Sequence, residues 1–286
     1  MNYFSSKNPS LSSLNPLKLL IISHIAVCIA SALFTPFMGF WNLPSITSVL
    51  ALSSWGLKHH FFWQPITHIL ASPFEQVNIS LIFYLVFNMY FLWSIGQALI
   101  QIKGVKDFLI LYFGGALASG LCVTYYLLST HSPMIAAGIT PAMYALLTAW
   151  MLLAPQMQIL LFFTIPVRVK WLILGIIGAH LFIDLSNGQF ANFIYYFSSI
   201  FFAYIYCILC WNINSPFPLL HPLENILHRF FNSTKKLFKK SPSKGAHIYD
   251  FKTGSIIQTE KPTPRSFIEK WKLKKSSKKF KRKEDL

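Results

Sequence analysis

Apolar residues fall along this chain in six long blocks separated by short polar breaks. The blocks run roughly Leu19–Met38, Val77–Leu99, Phe108–Leu128, Met134–Leu153, Trp171–Leu185 and Phe190–Trp211. A helix needs about 20 apolar residues to cross the hydrocarbon of a bilayer. The pattern therefore predicts six membrane-spanning helices, of which the fifth is short and closes on Asp184. The first block follows Lys7 and Lys18, and its Ala30-Ser-Ala32 imitates a secretory cleavage site. The apolar run continues past that triplet to Met38, so it is read as a span and not as a removable leader.

Composition narrows the class further. Of 286 residues, 54% are apolar, 16% aromatic and only 12% charged, and the mean hydropathy is +0.48. Disordered, collagen-like and disulfide-scaffold chains are excluded, and a soluble globular enzyme does not fit. The fold class expected is all-α, a polytopic membrane protein. Cys28, Cys122, Cys207 and Cys210 all sit in apolar runs and read as small buried residues, the CxxC spacing of the last two included.

The net charge of +16 is unevenly placed, since 18 of the 25 cations lie between Arg229 and Lys283. The few others mark alternate loops: Lys7 and Lys18, then Lys103 and Lys106, then Arg168 and Lys170. The intervening loops hold Lys58 alone, with no cation in Thr130–Pro133 or Ser186–Gln189. Cations on every second loop predict both termini in the cytoplasm, an arrangement that fits a bacterial inner membrane. Three regions follow: a cytoplasmic N-terminus (1–16), a six-helix membrane domain (17–211) and a basic tail (212–286).

Two segments outside the spans are unusual. The first loop carries Trp41, Trp55, His59, His60, Phe61, Phe62, Trp63 and His68, a load suited to the outer membrane interface. Its histidines lack an acidic partner at ligand spacing, so no metal is expected there, nor any cofactor elsewhere. In the tail, Leu223, Ile226, Leu227, Phe230, Phe231, Leu237 and Phe238 recur at helical spacing with cations between them. That reads as a basic amphipathic helix on the cytoplasmic leaflet. Residues 241–264 read as disordered. Lys270–Lys283 adds nine cations with Trp271 and Phe280. Anionic lipid headgroups, which attract such residues by about 1 kcal/mol each, are the expected partner of the tail. Nucleic acid is not.

Several strings, in order, resemble the rhomboid family of intramembrane serine proteases. Trp63-Gln-Pro-Ile-Thr-His68 looks like the approach to that family's second helix, and Tyr84-Leu-Val-Phe-Asn88-Met89 falls where the family has His-x-x-x-Asn-Met. Lys106 to Gly120 is similar to the third helix, and Gly138-Ile-Thr-Pro stands in the place of Gly-x-Ser-Gly at the fourth. Ile165 to Trp171 resembles the lead into the fifth, and Ile194 to Tyr204 the Ala-His-x-Gly-Gly run of the sixth. The resemblance covers about residues 17–211 and implies a six-helix rhomboid-like bundle.

It also implies a site. A serine hydroxyl attacks a peptide carbonyl, a histidine relays its proton, and backbone N–H groups with the His and Asn of the second helix stabilise the oxyanion. Mapped residue by residue, the nucleophile position is Thr140, the base position Tyr196 (or Tyr195, one residue earlier), and the oxyanion histidine Tyr84. Only Asn88 is kept. Tyr84, Thr140 and Tyr196 lie six or seven residues into their blocks, so each sits roughly 10 Å below the outer face.

The residues at those positions do not suit proteolysis. A phenol of pKa about 10 is a poor base at neutral pH. Pro141 removes a backbone N–H and restricts Thr140 to extended conformations, and Thr140 then reads as the N-cap of the fourth helix. Ser198 and Ser199, in place of two glycines, stay small enough for close packing. Gly178-Ala-His180 imitates the family's Ala-His, but Phe182 and Ile183 replace its glycines and span counting puts it in the fifth helix. His180 and Asp184 share a helical face. They read as a hydrogen-bonded pair, with a rescuing base or a client contact as alternatives.

The expectation is a degenerate rhomboid-like protein, a pseudoprotease that binds transmembrane protein clients at Tyr84, Asn88, Thr140 and Tyr196. The alternatives are an active serine-type endopeptidase using Thr140 with some other base, and a transporter or membrane scaffold. Sparse intramembrane charge argues against an ion or proton transporter.

Overall fold

A computed structural model describes residues 16–238, apart from 42, 75, 131–133 and 162–164. The expected N-terminal region up to residue 15, the disordered stretch 241–264, the cationic run Lys270–Lys283 and most of the Thr130–Pro133 loop lie outside the described residues.

In chain order the elements are α1 (Pro16–Phe40), α2 (Ile46–Leu50), β1 (Leu52–Ser53), α3 (Ser54–Lys58), α4 (Gln64–Thr67), α5 (Ile79–Lys103) and α6 (Val105–Thr130). Then follow β2 (Ile135–Ala136), α7 (Thr140–Leu153), β3 (Gln158–Leu161), β4 (Ile165–Arg168), α8 (Val169–Ser186), α9 (Phe190–Trp211), a 3-10 turn (Pro218–Leu220) and α10 (His221–Phe238). The first compact unit ends at Phe231 and takes the beginning of α10 with it.

Five of these helices, α1, α5, α6, α8 and α9, are long and apolar enough to cross a membrane. The fold is all-α and polytopic, as the apolar blocks indicate. The fourth block differs from expectation. Only Thr140–Leu153 is helical, because Ile135–Ala136 pairs antiparallel with Leu52–Ser53 and Gly138 then turns with φ +108°. A 14-residue helix spans about 21 Å, short of a bilayer, and α7 is buried along most of its length instead.

Caps set the other boundaries. The Asn78 side chain accepts from the Leu81 N–H at 2.8 Å and starts α5, and Gly104, at φ +95°, ends it. Asn212, in the left-handed region, ends α9. The connection from α7 to α8, expected as a plain charged loop, is a hairpin pairing Gln158 with Arg168 through Leu161 with Ile165.

The core is built where small residues let helices meet. An added Cβ on Gly115 of α6 would lie 2.5 Å from the Ala145 Cβ of α7 and 2.8 Å from the Ser199 Oγ of α9. Around that junction pack Leu92, Ile95, Phe108, Leu111, Tyr112, Ala142 and Leu146, all buried. α6 makes its most extensive contacts with α9 and α7, so the short helix is held at the centre of the bundle. Small-residue contacts of this kind drive helix association where lipid supplies no hydrophobic force.

The aromatic first loop is ordered around one side chain. The buried Gln64 amide accepts from the Ser53 N–H at 3.3 Å and donates to the Ser48 and Val49 carbonyls at 3.1 and 3.3 Å. Trp41 and Phe62 stay exposed, as an interface role requires, but His68 is fully buried. The cysteines also divide: Cys28 and Cys207 are buried, while Cys122 and Cys210 are exposed. The outward pair lie on helix faces turned away from the bundle centre, which apolar neighbours in sequence do not reveal.

Candidate functional site

The site is built on the three residues before α7. Gly138 donates its N–H to the His68 carbonyl at 2.9 Å, and its own carbonyl accepts from the Tyr195 hydroxyl at 3.4 Å. An added Cβ there would lie 2.9 Å from the Tyr84 Oη, in addition to the strain of its positive φ. The next N–H, of Ile139, donates to that same Tyr84 oxygen at 3.0 Å. The segment leading into Thr140 is thus held by the first loop, by α5 and by α9.

Thr140 itself is the first helical residue, and the N-cap is Ile139, in a helical conformation without a side-chain cap. This corrects the expected capping role. The clasp on Gly138 and Ile139 starts the helix one residue early, so the threonine side chain has no first-turn N–H to receive. Its hydroxyl makes no hydrogen bond among the described residues, and the residue is partly exposed. Pro141 takes the second helical position, where a missing N–H has no intrahelical use. The Pro141 carbonyl accepts from the Ser199 hydroxyl.

Asn88 lies one turn below Tyr84 and donates back to the Tyr84 carbonyl at 2.8 Å. Its amide serves its own helix. The two tyrosines that start α9 diverge. Tyr195 is buried, bonds Gly138 and sets its ring edge-on to His68 at 5.3 Å. Tyr196 faces the other way, with its ring 4.9 Å from His180 and 5.5 Å from Tyr144.

His180 bonds the Tyr144 hydroxyl through Nδ1 at 2.7 Å. That corrects the expected His180–Asp184 pair. Tyr144 comes across from α7 and takes the imidazole, whereas Asp184 is buried with Oδ2 left without a partner among the described residues. His180 therefore reaches α7 one turn beyond Thr140, about 6 Å along the axis.

Two residues of this cluster escaped the sequence reading. His68, taken as interfacial, donates from Nδ1 to the Gln64 carbonyl at 3.2 Å and leaves Nε2 3.5 Å from the Ser119 Oγ. Burial pushes its pKa down to about 4. Tyr144 has no assigned role in the sequence pattern, and here it bonds His180. Tyr144 carries a signal: it stands four residues after Thr140, on the same helical face.

Beside Ala137 opens a cavity of about 230 Å³ lined by Thr47, Ser48, Ser72, Pro73, Ile135 and Ala137. Its lining is neutral, and no cluster of metal-ligating side chains occurs among the described residues.

Membrane-length apolar helices around a buried short helix define a polytopic integral membrane protein. The family model for the rhomboid domain matches residues 62–207, just over half of the chain, and the chain belongs to that family. Among curated proteins, none matches it.

Proposed function

We propose that this rhomboid-family membrane protein binds transmembrane clients without cutting them, with both termini in the cytoplasm of a cell such as a bacterium. The observation that carries the reading is the bond from Ile139 N–H to the Tyr84 oxygen. A donor immediately before the nucleophile position is what an oxyanion would require. Here it is held by a phenol from the helix that supplies that stabilisation elsewhere in the family.

Three further features support it. Thr140 has no hydrogen-bonded base among the described residues, and the imidazole of His180 on α8 is bound to Tyr144. The base position carries a phenol in either register. Pro141 lacks the N–H that the family's glycine provides. Binding needs none of these groups. α5 and α8 both pack on α7 but have no extensive contact with each other, which leaves a lateral opening for a client helix. The neutral cavity beside Ala137 is large enough for one client side chain.

The test is a fluorogenic transmembrane rhomboid substrate offered to the reconstituted protein and to Thr140→Ala. Neither should cleave it; cleavage by the parent that disappears in the variant overturns the inactive reading. A photocrosslinker at Tyr84 should capture a transmembrane helix, and repeated failure to capture one counts against client binding.

A further inference from the structure

α10 shows an inverted contact with the bundle. Its acidic residue faces the protein: Glu224 is buried, accepts from the Tyr204 hydroxyl at 2.6 Å, and receives the Ser215 N–H at 3.3 Å. His221 adds a bond from Nε2 to the Ser215 carbonyl at 3.0 Å. The apolar residues face away, Leu223 being 60% and Ile226 49% exposed. An ordinary amphipathic helix on a soluble protein does the reverse.

The helical register groups this face. At about 100° per residue, positions 223, 226 and 227, all apolar, fall within an arc of about 100°. Arg229, Lys235 and Lys236 fall on the opposite side, and Glu224 stands at the border between the two. Docking through the border residue leaves one face apolar and the other cationic.

Position along α9 says what meets the apolar face. Tyr204 lies seven residues before the end of α9 at Trp211, about 10 Å along the axis. α10 is therefore tied at the level of the last two turns of a membrane span. That end of the bundle is also cationic: Lys103 lies over the Trp211 ring at 4.9 Å, and Lys106 and Lys170 sit in the first turns of α6 and α8. From His221 onward the chain carries its 18 clustered cations.

We infer that α10 is an in-plane helix that docks on the anionic surface of the protein's own membrane, with the Leu223/Ile226 face in the lipid, the cations at headgroup phosphates, and Glu224 as the hinge pin to α9. This is independent of whether the site cleaves or binds.

The test is amide exchange of residues 221–238 in the full chain. It is measured in nanodiscs of phosphatidylcholine alone and with about one-third phosphatidylglycerol. Exchange should slow about tenfold in the anionic discs, and Leu223→Asp with Ile226→Asp should remove the slowing. Equal exchange in both lipids, or protection that survives the double substitution, overturns the inference. Should that variant fail to assemble, Arg229→Gln, Lys235→Gln and Lys236→Gln together leave the apolar residues in place. They must abolish the difference between the two lipids, and a difference that persists equally refutes the proposal.

Discussion

α9 carries tyrosines near both ends, and the two pairs stand in different electrostatic surroundings. Near its start, Tyr195 and Tyr196 make their hydrogen-bond and ring contacts with the Gly138 carbonyl, His68, Tyr144 and His180, and the Asp184 carboxylate acts on Tyr196 only through space. Near its finish, Tyr204 and Tyr206 each donate to a carboxylate, Glu224 and Asp107, both at 2.6 Å. A phenol that donates to a carboxylate makes a short, charge-assisted bond. A phenol among backbone groups and imidazoles makes neutral ones and excludes water. One end of the helix is a dry aromatic clasp on α7, the other a charged collar around the loop and α10. The clasp occupies the Ile139 N–H beside Thr140.

The largest expected effect comes from breaking that clasp. Thr140→Ser, Pro141→Gly and Tyr196→His together restore a nucleophile, an N–H and an imidazole. They leave Tyr84 on the Ile139 N–H. Adding Tyr84→His frees that donor. The quadruple variant should therefore cleave a fluorogenic transmembrane substrate about 100-fold faster than the triple one, the usual worth of an oxyanion donor. Equal rates would mean that the Tyr84 bond does not limit cleavage.

The clasp also rests on close backbone packing at its own end of the bundle. An added Cβ on Gly120 would lie 2.2 Å from the Pro65 carbonyl oxygen. That atom belongs to the backbone of α4 and cannot swing aside. Gly120→Ala should cost about 2–3 kcal/mol, read as a lower unfolding midpoint in detergent. Gly178→Ala on α8, where nothing lies within 4 Å, should be neutral or gain up to about 1 kcal/mol from helix propensity.

Protons sharpen the contrast between a dry end and a charged one. His68 is held neutral to about pH 4, against 6.5 when unfolded. The unfolded chain thus binds the extra proton first. Stability carried by neutral His68 is complete above pH 6.5 and is lost as pH falls from 6.5 toward 4, by up to about 3 kcal/mol. The difference in stability between the parent and His68→Gln, followed from pH 8 to 5, should show this slope. A difference that stays flat would place His68 in contact with water.

The long, uniformly apolar blocks were legible because hydropathy and length alone identify a span, and five of them became helices of membrane length. The fourth block was equally apolar, yet it splits at Gly138. What keeps the start of that block out of the helix is a pairing with Leu52–Ser53, more than 80 residues away in sequence, and local hydropathy holds no trace of it. The rhomboid-like order of motifs could be read from strings. The partners of the motif residues could not, because the hydroxyl that bonds His180 comes from Tyr144 on a different helix. His68 was misplaced for the opposite reason: a polar residue in an aromatic loop looks interfacial until Gln64 folds the loop inward.

The smallest expected effect tests the charged end. Tyr206→Phe removes one bond to Asp107 in a partly buried position. The carboxylate keeps access to water and to the nearby cationic helix ends, so little desolvation goes uncompensated. A loss of about 1 kcal/mol is expected, appearing as a small drop in the detergent unfolding midpoint that shrinks as salt is raised. Tyr195→Phe deletes a weaker, 3.4 Å bond at the dry end, and its effect should not respond to salt at all. The two substitutions remove the same atom from the same helix, so a shared salt response would erase the electrostatic distinction between its ends.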